Sequence, residues 1–420
     1  MRTAGTGIEF TILPLRFGRE RMRIFVHDYA GHPFPCDLSR TLARRGHWVR
    51  HIYAASNPSP RGILEVREGD APGLDFLPVH VSGPIRKESY WRRRRQELAY
   101  AKSVVDMIER DRPDIVLSGN TPSEVQRLMV RACRRCGARF VAWVQDIYGV
   151  AVHRILRKRI PLLGALIGRW YMRIDDAVLQ KSDAVVLISE DFLPFTDRCG
   201  VDRARVRIIH NWAPLNSLSL TSKDNPWSRR EDLAHMFCLV YSGTLGMKHN
   251  PRLLLELAMH FRKNDGIRLV VVSEGTGPNW LRAQAGNAGL DNVRILGWVP
   301  PDELPQVLAT GDILLAILEP DAGVFSVPSK VLTYLCARRP MVLAVPPDNL
   351  AARIVHGAGA GLVVPPDDVD AFIRAVETLV DDPARRAAMA ERGRAYAETH
   401  FDIERITDSF EEVFSIAARQ

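Results

Sequence analysis

The chain has 420 residues, which is more than one hydrophobic core usually serves, so we expect two domains. Hydrophobic residues make up 46% and charged residues 25%, which is ordinary for a soluble globular enzyme, and the uninterrupted apolar run of a membrane-spanning helix is absent. The six cysteines lack the paired spacing of a disulfide framework or a zinc site.

The first segment, residues 1–21, precedes the first predicted strand and has no continuous apolar core of the kind that secretion signals carry. We therefore interpret it as an N-terminal extension and expect a cytoplasmic protein, with peripheral contact to the inner face of the plasma membrane as a further possibility raised by the basic segments described below.

The N-terminal half, residues 22–212, alternates apolar strands with helices, beginning with the strand IFV and a polar loop that contains Gly31. This alternation predicts a parallel, doubly wound sheet. Gly31 stands where the backbone turns with positive φ or approaches another group closely. Because GxGxxG is absent, the half does not predict a dinucleotide site.

Polar residues follow the predicted strands at their carboxyl ends, which is where such sheets bind ligands. These residues are His27, Asp28, Gly119, Asn120, Gln145, Asp146, Ser189, Glu190, His210 and Asn211. An ordinary strand end has the same pattern, so each residue alone is weak evidence for a site.

The basic excess, a formal charge of +8, is concentrated in three segments, residues 86–95, 131–139 and 154–173. Such an excess fits nucleic acid, anionic lipid or a phosphorylated substrate. The third segment mixes Arg and Lys with Ile, Leu, Trp and Tyr, which is typical of a helix on an anionic membrane surface, although a solvated helix face is the alternative. Nucleic acid is disfavoured because few aromatic residues are interleaved, apart from Tyr90 and Trp91.

The second half begins after a polar segment broken by two prolines, residues 213–234, which we interpret as a linker. Residues 235–400 again alternate strands and helices and predict a second Rossmann-like domain. The tail, residues 401–420, is predicted to form one more helix, with the N-terminal domain as its candidate packing surface.

Three loops of the second half have the features of a phosphate site. Gly243 and Gly246 precede Lys248 between a strand and a helix, and Gly275 and Gly277 follow Glu274 at the next strand end. Backbone N–H groups near glycines, together with lysines, are what a diphosphate requires. The GxxxxGK[ST] spacing of a P-loop is absent, so the prediction depends on the three loops converging.

The third loop leads into a helix that we predict to start at Pro328 and to have Arg338 and Arg339 in its last turn. The N–H groups of Ser329 and Lys330 would then point outwards at the positive end of the helix dipole, where anions bind. An ordinary helix start with a surface lysine is the alternative.

The chain resembles the retaining glycosyltransferases that have two Rossmann-like domains, the GT-B type, in the large family that includes bacterial capsule, colanic-acid and O-antigen enzymes. The motifs that carry this resemblance, from residue 22 onwards, are WVQDIYGVAV, SDAVVLISE, RVRIIHNW, YSGTLGMKHN and VPSKVLTYLCARRPMVLAV. The resemblance implies a nucleotide-sugar donor, no cofactor, no catalytic metal, and two doubly wound domains that face each other across a cleft.

The resemblance also implies roles for individual residues. Gly243 begins the diphosphate loop, Lys248 pairs with the phosphates, and Thr244 occupies a position where the family often has Arg. The remaining positions that would contact the donor are Gly31, Glu274, Gly275, Gly277, Trp298, Val299, Ser329 and Lys330, with Trp298 and Val299 at the nucleobase.

The chain departs from the family pattern at several positions. Thr333 stands where a Glu usually contacts the ribose, and no Glu is present near Gly323, where the family places one at the sugar. Asp321 is the nearest carboxylate. Gln145 replaces a His before Asp146, and because Gln cannot titrate, it can hydrogen-bond a sugar but not act as an acid or base.

These positions support glycosyl transfer, in which Lys248, Lys330 and the helix start stabilise the leaving diphosphate while Asp146 or Asp321 orients the sugar. The expected acceptor is lipid-linked or a saccharide, in cell-surface polysaccharide biosynthesis. Two alternatives remain, a nucleotide-sugar epimerase of the same architecture and a catalytically weak scaffold in a polysaccharide assembly.

Overall fold

The computed structural model describes residues 21–56, 61–81, 83, 90–320 and 328–420. These residues form two parallel sheets, one of seven strands and one of six, in the two halves of the chain. Asp321 and Gly323, two of the predicted site residues, lie outside the described residues. The expectation of two Rossmann-like domains of the GT-B type is confirmed.

The N-terminal sheet has the strand order β3-β2-β1-β4-β5-β6-β7, with every described pair parallel. Its central strand β4 is buried along its whole length, as expected for a sheet covered on both faces. The strands are β1 Arg23–Asp28, β2 Trp48–Ala54, β3 Leu74–Val79, β4 Ile115–Gly119, β5 Arg139–Val144, β6 Ala184–Leu187 and β7 Val206–Ile208.

Helices connect these strands, and α3 packs against both α2 and α5. The basic third segment forms two helices, α4 and α5, which pack closely as an antiparallel hairpin. The helices are α1 Pro33–Arg44, α2 Tyr90–Asp111, α3 Ser123–Cys136, α4 Tyr148–Arg159, α5 Pro161–Lys181 and α6 Leu193–Arg198.

The segment between the two sheets is structured and contains the short helix α7, Pro226–Arg230. Asn225 caps this helix in a capping box with Ser228, and Trp227 is buried. Such a box satisfies N–H groups that the first helical turn leaves free. The two prolines therefore accompany an ordered connection.

The C-terminal sheet has the strand order β10-β9-β8-β11-β12-β13, again parallel. Its strands are β8 Phe237–Ser242, β9 Ile267–Val272, β10 Val293–Leu296, β11 Ile313–Ile317, β12 Met341–Ala344 and β13 Gly361–Val364. Its helices are α8 Arg252–His260, α9 Thr276–Asn287, α10 Leu304–Thr310, α11 Ser329–Cys336, α12 Leu350–Ala358, α13 Val369–Asp381 and α14 Pro383–His400.

The predicted boundaries of α11 were wrong at both ends. Pro328 is the N-cap residue, with φ −69° and ψ 105°, and the first helical residue is Ser329. The helix ends at Cys336, so Arg338 and Arg339 lie beyond its last turn, and Arg338 has a positive φ of 54°. A residue in that left-handed conformation ends an α-helix.

The last helix, α15 Ile403–Ala418, packs on the N-terminal sheet, against α1, β5 and β6. Phe410 of α15 is fully buried and lies edge-on to Trp143 and Trp212. Arg45, at the end of α1, is bound by the carboxylates of Glu404 and Asp408 at 2.7 Å each. The chain therefore passes between the domains twice.

None of the described helices has the length and hydrophobicity required to cross a bilayer.

Replacing Phe410 tests the contribution of α15 to the N-terminal domain. We expect Phe410→Ala to lower the free energy of unfolding by about 3 to 5 kcal/mol, because it leaves a cavity beside Trp143 and Trp212. Ser409→Ala, on the same helix, should change it by less than about 0.5 kcal/mol. Urea denaturation followed by tryptophan fluorescence measures both, and equal effects would contradict the packing described.

Candidate active site

The carboxyl ends of the two sheets face one cleft. Asp191, which follows β6 of the N-terminal sheet, forms an ion pair of 2.5 Å with Arg353 of α12, which follows β12 of the C-terminal sheet. Ligands of open parallel sheets bind at the carboxyl ends of the strands. The loops at those ends, on both sides of the Asp191–Arg353 pair, are therefore the candidate site.

Lys330, in the first turn of α11, reaches into the loop that follows β8. Its Nζ lies 2.5 Å from the hydroxyl of Tyr241 and 3.3 Å from the carbonyl oxygen of Thr244. The same nitrogen lies 3.8 Å from the centre of the Tyr241 ring. The Tyr241 hydroxyl itself donates to the Thr244 carbonyl at 2.8 Å, which fixes the loop.

No carboxylate pairs with Lys330 among the residues that the structure describes. Burial lowers the pKa of its amine from an ordinary 10.5 to about 7, because a desolvated ammonium group is unfavourable without a counter-ion. A bound anion would reverse this shift. The start of α11, where the helix dipole acts in the same direction, is therefore a candidate position for a negatively charged ligand.

The glycines of the two neighbouring loops are required by their geometry. Gly243 has a φ of 118°, and a Cβ there would lie 3.3 Å from Cε of Lys330. The N–H of Gly277 donates to the carbonyl of Leu245 at 3.2 Å, and a Cβ at Gly277 would lie only 2.1 Å from that oxygen. The Gly243–Gly246 loop, the Gly275–Gly277 loop and Lys330 of α11 are thus brought together.

Glu274 and Trp298 also meet at this end of the sheet. The backbone N–H of Trp298 donates to Oε1 of Glu274 at 3.2 Å. Trp298 is 41% exposed, which is unusual for a large aromatic side chain, and Val299 beside it is half-buried. An exposed ring that is anchored through its backbone is a suitable surface for stacking a planar ligand.

For the other residues predicted to contact the nucleotide-sugar donor, the structure describes fewer side-chain contacts. Lys248 lies in the 3-10 turn Met247–His249, at the end of the Gly243–Gly246 loop, and its side chain is not described. Ser329 is the exposed first residue of α11. Thr333 lies one turn further along, and its hydroxyl donates to the Ser329 carbonyl at 3.4 Å.

The N-terminal side of the cleft is built around the buried carboxylate of Asp28, at the end of β1. Asp28 accepts hydrogen bonds from the backbone N–H groups of Ala30 and His32. The ring of His32 lies 3.5 Å from Asp28, and the side-chain amide of Asn120, which follows β4, lies within 3.4 Å of both. Gly31 has the predicted positive φ, 74°, which turns the chain between Asp28 and His32.

The Asp28–His32 pair has a defined charge distribution. Burial alone would raise the pKa of Asp28, but the charge and hydrogen bonds of His32 outweigh it and hold the pKa at about 2. Burial disfavours protonation of His32, yet Asp28 and then Asp146 raise its pKa above the ordinary value. The buried Asp28 carboxylate thus holds the partly exposed His32 ring in place and favours its protonated form.

His27, one residue earlier, behaves differently. Its ring is buried between the hydroxyls of Tyr100 at 2.8 Å and Thr121 at 3.0 Å. Burial lowers its pKa to about 3, so it is neutral at physiological pH and supports the core.

Gln145 and Asn211 bind each other through two side-chain hydrogen bonds of 3.1 and 2.6 Å. This pair connects the end of β5 to the segment after β7, so each amide has only part of its hydrogen-bonding capacity left for a ligand. Asp146, the next residue, is exposed and lines a cavity of about 270 Å³ together with Tyr29 and Asn120.

Two residues of this arrangement were not predicted from the sequence, His32 and Tyr241. His32 had a sequence signal, since it directly follows Gly31 in the loop at the end of β1. Tyr241 had none, because an aromatic residue inside a strand is ordinarily a core residue, and only the approach of Lys330 gives its hydroxyl a role.

Comparison with known proteins identifies the family. A family model described as Glycosyltransferase Family 4 matches residues 36–216, and a second, described as Glycosyl transferases group 1, matches residues 237–382. The two matches cover the two Rossmann-like domains in order. The chain belongs to the family 4 and group 1 glycosyltransferases, and it uses a nucleotide-sugar donor. The resemblance stated from the sequence is confirmed.

Individual relatives of this glycosyltransferase are distant. A probable glycosyltransferase, WbjE of Pseudomonas aeruginosa, is 22% identical over 64% of this chain and 67% of its own. A GDP-mannose-dependent mannosyltransferase of Corynebacterium glutamicum, which acts on a monoacylated phosphatidylinositol monomannoside, is 31% identical over 33% of this chain and 36% of its own. The structure of HepE of Anabaena with UDP and glucose has a TM-score of 0.69 and 15% identity, covering 94% and 100% of the two chains.

Substitution of Gly277 tests the contact between the two glycine loops. We expect Gly277→Ala to lower the free energy of unfolding by roughly 1 to 3 kcal/mol, since its Cβ would overlap the Leu245 carbonyl and push the loops apart. Gly286→Ala, in the same helix with open space at its Cβ, should instead stabilise by up to about 1 kcal/mol. Chemical denaturation measures both, and equal changes would contradict the close approach.

The pair of Asp28 and His32 is tested by titration. Asp28→Asn should lower the pKa of His32, followed by NMR of its ring, because burial is then no longer opposed by a full charge. Since Asp28 has a lower pKa when folded than unfolded, the variant should lose roughly 2 kcal/mol of stability at neutral pH, and this difference should disappear as the pH falls towards 2. Asp146→Asn should lower the pKa of His32 less. An unchanged His32 titration would refute the pairing.

Proposed function

We propose that this glycosyltransferase moves a hexose from a nucleoside-diphosphate sugar to a lipid-linked or polysaccharide acceptor in cell-surface polysaccharide biosynthesis, with retention and without a metal. The observation that carries the donor assignment is the amine of Lys330, which lies against Tyr241 at the start of α11, between two glycine loops, and has no carboxylate partner among the described residues. A diphosphate would supply the negative counter-charge for this amine.

In the proposed reaction, the bond between the sugar C1 and the diphosphate oxygen breaks, and the acceptor hydroxyl oxygen bonds to C1. Negative charge then grows on the diphosphate, where Lys330, the N–H groups of Ser329 and the glycine loops stabilise it. The acceptor proton passes to the leaving diphosphate. We propose Lys248 as a second cation that binds the diphosphate. Trp298 and Val299 are proposed to contact the nucleobase.

The N-terminal side of the cleft is proposed to hold the sugar and the acceptor. Asp146, Gln145 and Asn211 offer hydrogen-bond partners for sugar hydroxyls, and His32 adds a donor fixed by Asp28. Asp321 remains a proposed sugar ligand from the resemblance alone. In this proposal Lys330 and Lys248 lie beside the diphosphate, and the carboxylate of Asp146 lies beside the sugar, where positive charge develops.

The α4–α5 hairpin supports an acceptor at a membrane surface. Leu162 is 91% exposed and Leu166 64% exposed, and the hairpin also carries the exposed cations Arg154, Arg157 and Arg169. Its glycines explain why these leucines point outwards: at Gly164 and Gly168 the two helices pack so closely that a Cβ would overlap α4. Exposed apolar residues bordered by cations are typical of contact with anionic lipid.

A nucleotide panel tests the donor assignment. We expect one of UDP, GDP, ADP and CDP to raise the melting temperature, and a flat response to all four would contradict the proposal. Lys330→Met should weaken that binding roughly 10- to 100-fold, as expected for a lost hydrogen bond to a charged group. Lys263→Met, at an exposed lysine of the same domain, should leave it unchanged.

The low pKa of Lys330 adds a second readout to the same panel. Binding of a diphosphate should raise that pKa from about 7, so proton uptake should accompany binding at pH 8, and affinity should fall as the pH rises above 7. Calorimetry in two buffers of different ionisation enthalpy measures the uptake. Lys330→Met should abolish it, and uptake that persists in the variant would exclude Lys330 as its source.

A further inference from the structure

A second cavity, of about 210 Å³, lies between α3 and α5 on the outside of the N-terminal domain. Its lining includes four basic side chains, Arg127 and Arg131 of α3 with Arg173 and Lys181 of α5, and no acidic residue. The remaining lining is mainly apolar. This cavity shares none of the donor-side residues described above.

The four cations have no carboxylate partner in the part of the chain that the structure describes, in contrast to their neighbours. Nearby arginines have carboxylate partners, as in Arg135 with Glu109. Among the described residues, none pairs with Arg127, Arg131, Arg173 or Lys181. Nε of Arg127 is also buried without any hydrogen-bond acceptor, which is an unfavourable state for a charged donor. An anion in the cavity would satisfy this donor and offset the mutual repulsion of the four charges.

The cavity is continuous with the exposed apolar residues of α5. Arg127 lies over the ring of Trp170, with its Cζ 5.7 Å from the ring centre, and Trp170 is 38% exposed. Leu166 and Leu163 precede Trp170 by four and seven residues, so they share its side of the helix. Both leucines are more than half exposed. A cavity lined by basic side chains therefore borders an apolar surface along α5.

We propose that this cavity binds the phosphate headgroup of an anionic membrane lipid, with Leu163 and Leu166 directed at the acyl region. The proposal rests on the membrane contact suggested under the proposed function and adds a defined site to it. Guanidinium groups bind phosphate in bidentate geometry, and Trp170 is suited to the interface between headgroup and acyl chain. A single aromatic ring does not provide the successive stacking surfaces that RNA requires.

The first experiment uses dihexanoyl phosphatidylglycerol below its micelle concentration, measured by calorimetry on the full chain. Arg131→Gln with Arg173→Gln should weaken binding at least tenfold. The matched control, Arg134→Gln with Arg169→Gln, removes two exposed charges from the same two helices but outside the cavity, and should change binding less than twofold. Equal losses in the two double variants, or no binding by the wild type, would overturn the defined site.

Competition identifies the source of the phosphate. Inorganic phosphate or a single-stranded RNA oligonucleotide that displaces the lipid at the same concentration would overturn the lipid assignment. Weak competition by both supports it.

Vesicles separate the headgroup site from the membrane contact as a whole. On vesicles of phosphatidylcholine with phosphatidylglycerol, Leu163→Gln with Leu166→Gln should lose vesicle binding yet keep the short-chain lipid. Wild-type protein that fails to bind these vesicles refutes the membrane contact and, with it, the lipid assignment. The nucleotide response should be the same in all variants, so loss of the headgroup site alone leaves the donor assignment intact.

Discussion

The candidate site depends on one electrostatic constraint, a partly buried lysine amine that has no carboxylate partner among the residues that the structure describes. Lys330 is placed by the first turn of α11 against Tyr241 and the loop after β8, and burial lowers its pKa to about 7. Such an arrangement is unfavourable by itself, and a bound anion, such as the proposed diphosphate, would offset the cost. The close packing around Lys330 also requires glycine at positions 243 and 277. A side chain at Gly243 would press on Lys330, and one at Gly277 would overlap the carbonyl of Leu245.

The opposite side of the cleft is organised by a buried anion. Asp28 orients His32 and Asn120, while the amides of Gln145 and Asn211 bind each other. The two sides thus differ, with Lys330 and the N–H groups of α11 on the C-terminal domain and the Asp28–His32 pair, Asp146 and side-chain amides on the N-terminal domain. Glycosyl transfer needs this asymmetry, since the leaving diphosphate becomes more negative as the sugar becomes positive.

The basic excess of the chain is divided between two kinds of surface. Many arginines are in ion pairs, such as Arg45 with the carboxylates of α15, and these stabilise the packing of elements distant in sequence. The four cations of the cavity between α3 and α5 are not paired with described residues, and they lie beside exposed leucines. Net charge therefore indicates an anionic partner only where the local charge is left unbalanced.

The order of strands and helices, the two Rossmann-like domains and the positive φ of Gly31 could be predicted from the sequence, because each depends on local periodicity or on a conformation that glycine adopts. The phosphate role of the loops around Gly243, Gly275 and Lys330 stays a prediction. Local pattern could not predict that Tyr241 of β8 meets Lys330, 89 residues later, or that Gln145 pairs with Asn211 across 66 residues. The sequence pattern also predicted that α11 extends to Arg339, whereas the helix ends at Cys336 and Arg338 adopts a left-handed conformation. Those features arise when strands align in the sheet, and the side chains that then meet are decided by the tertiary packing rather than by their neighbours in the chain.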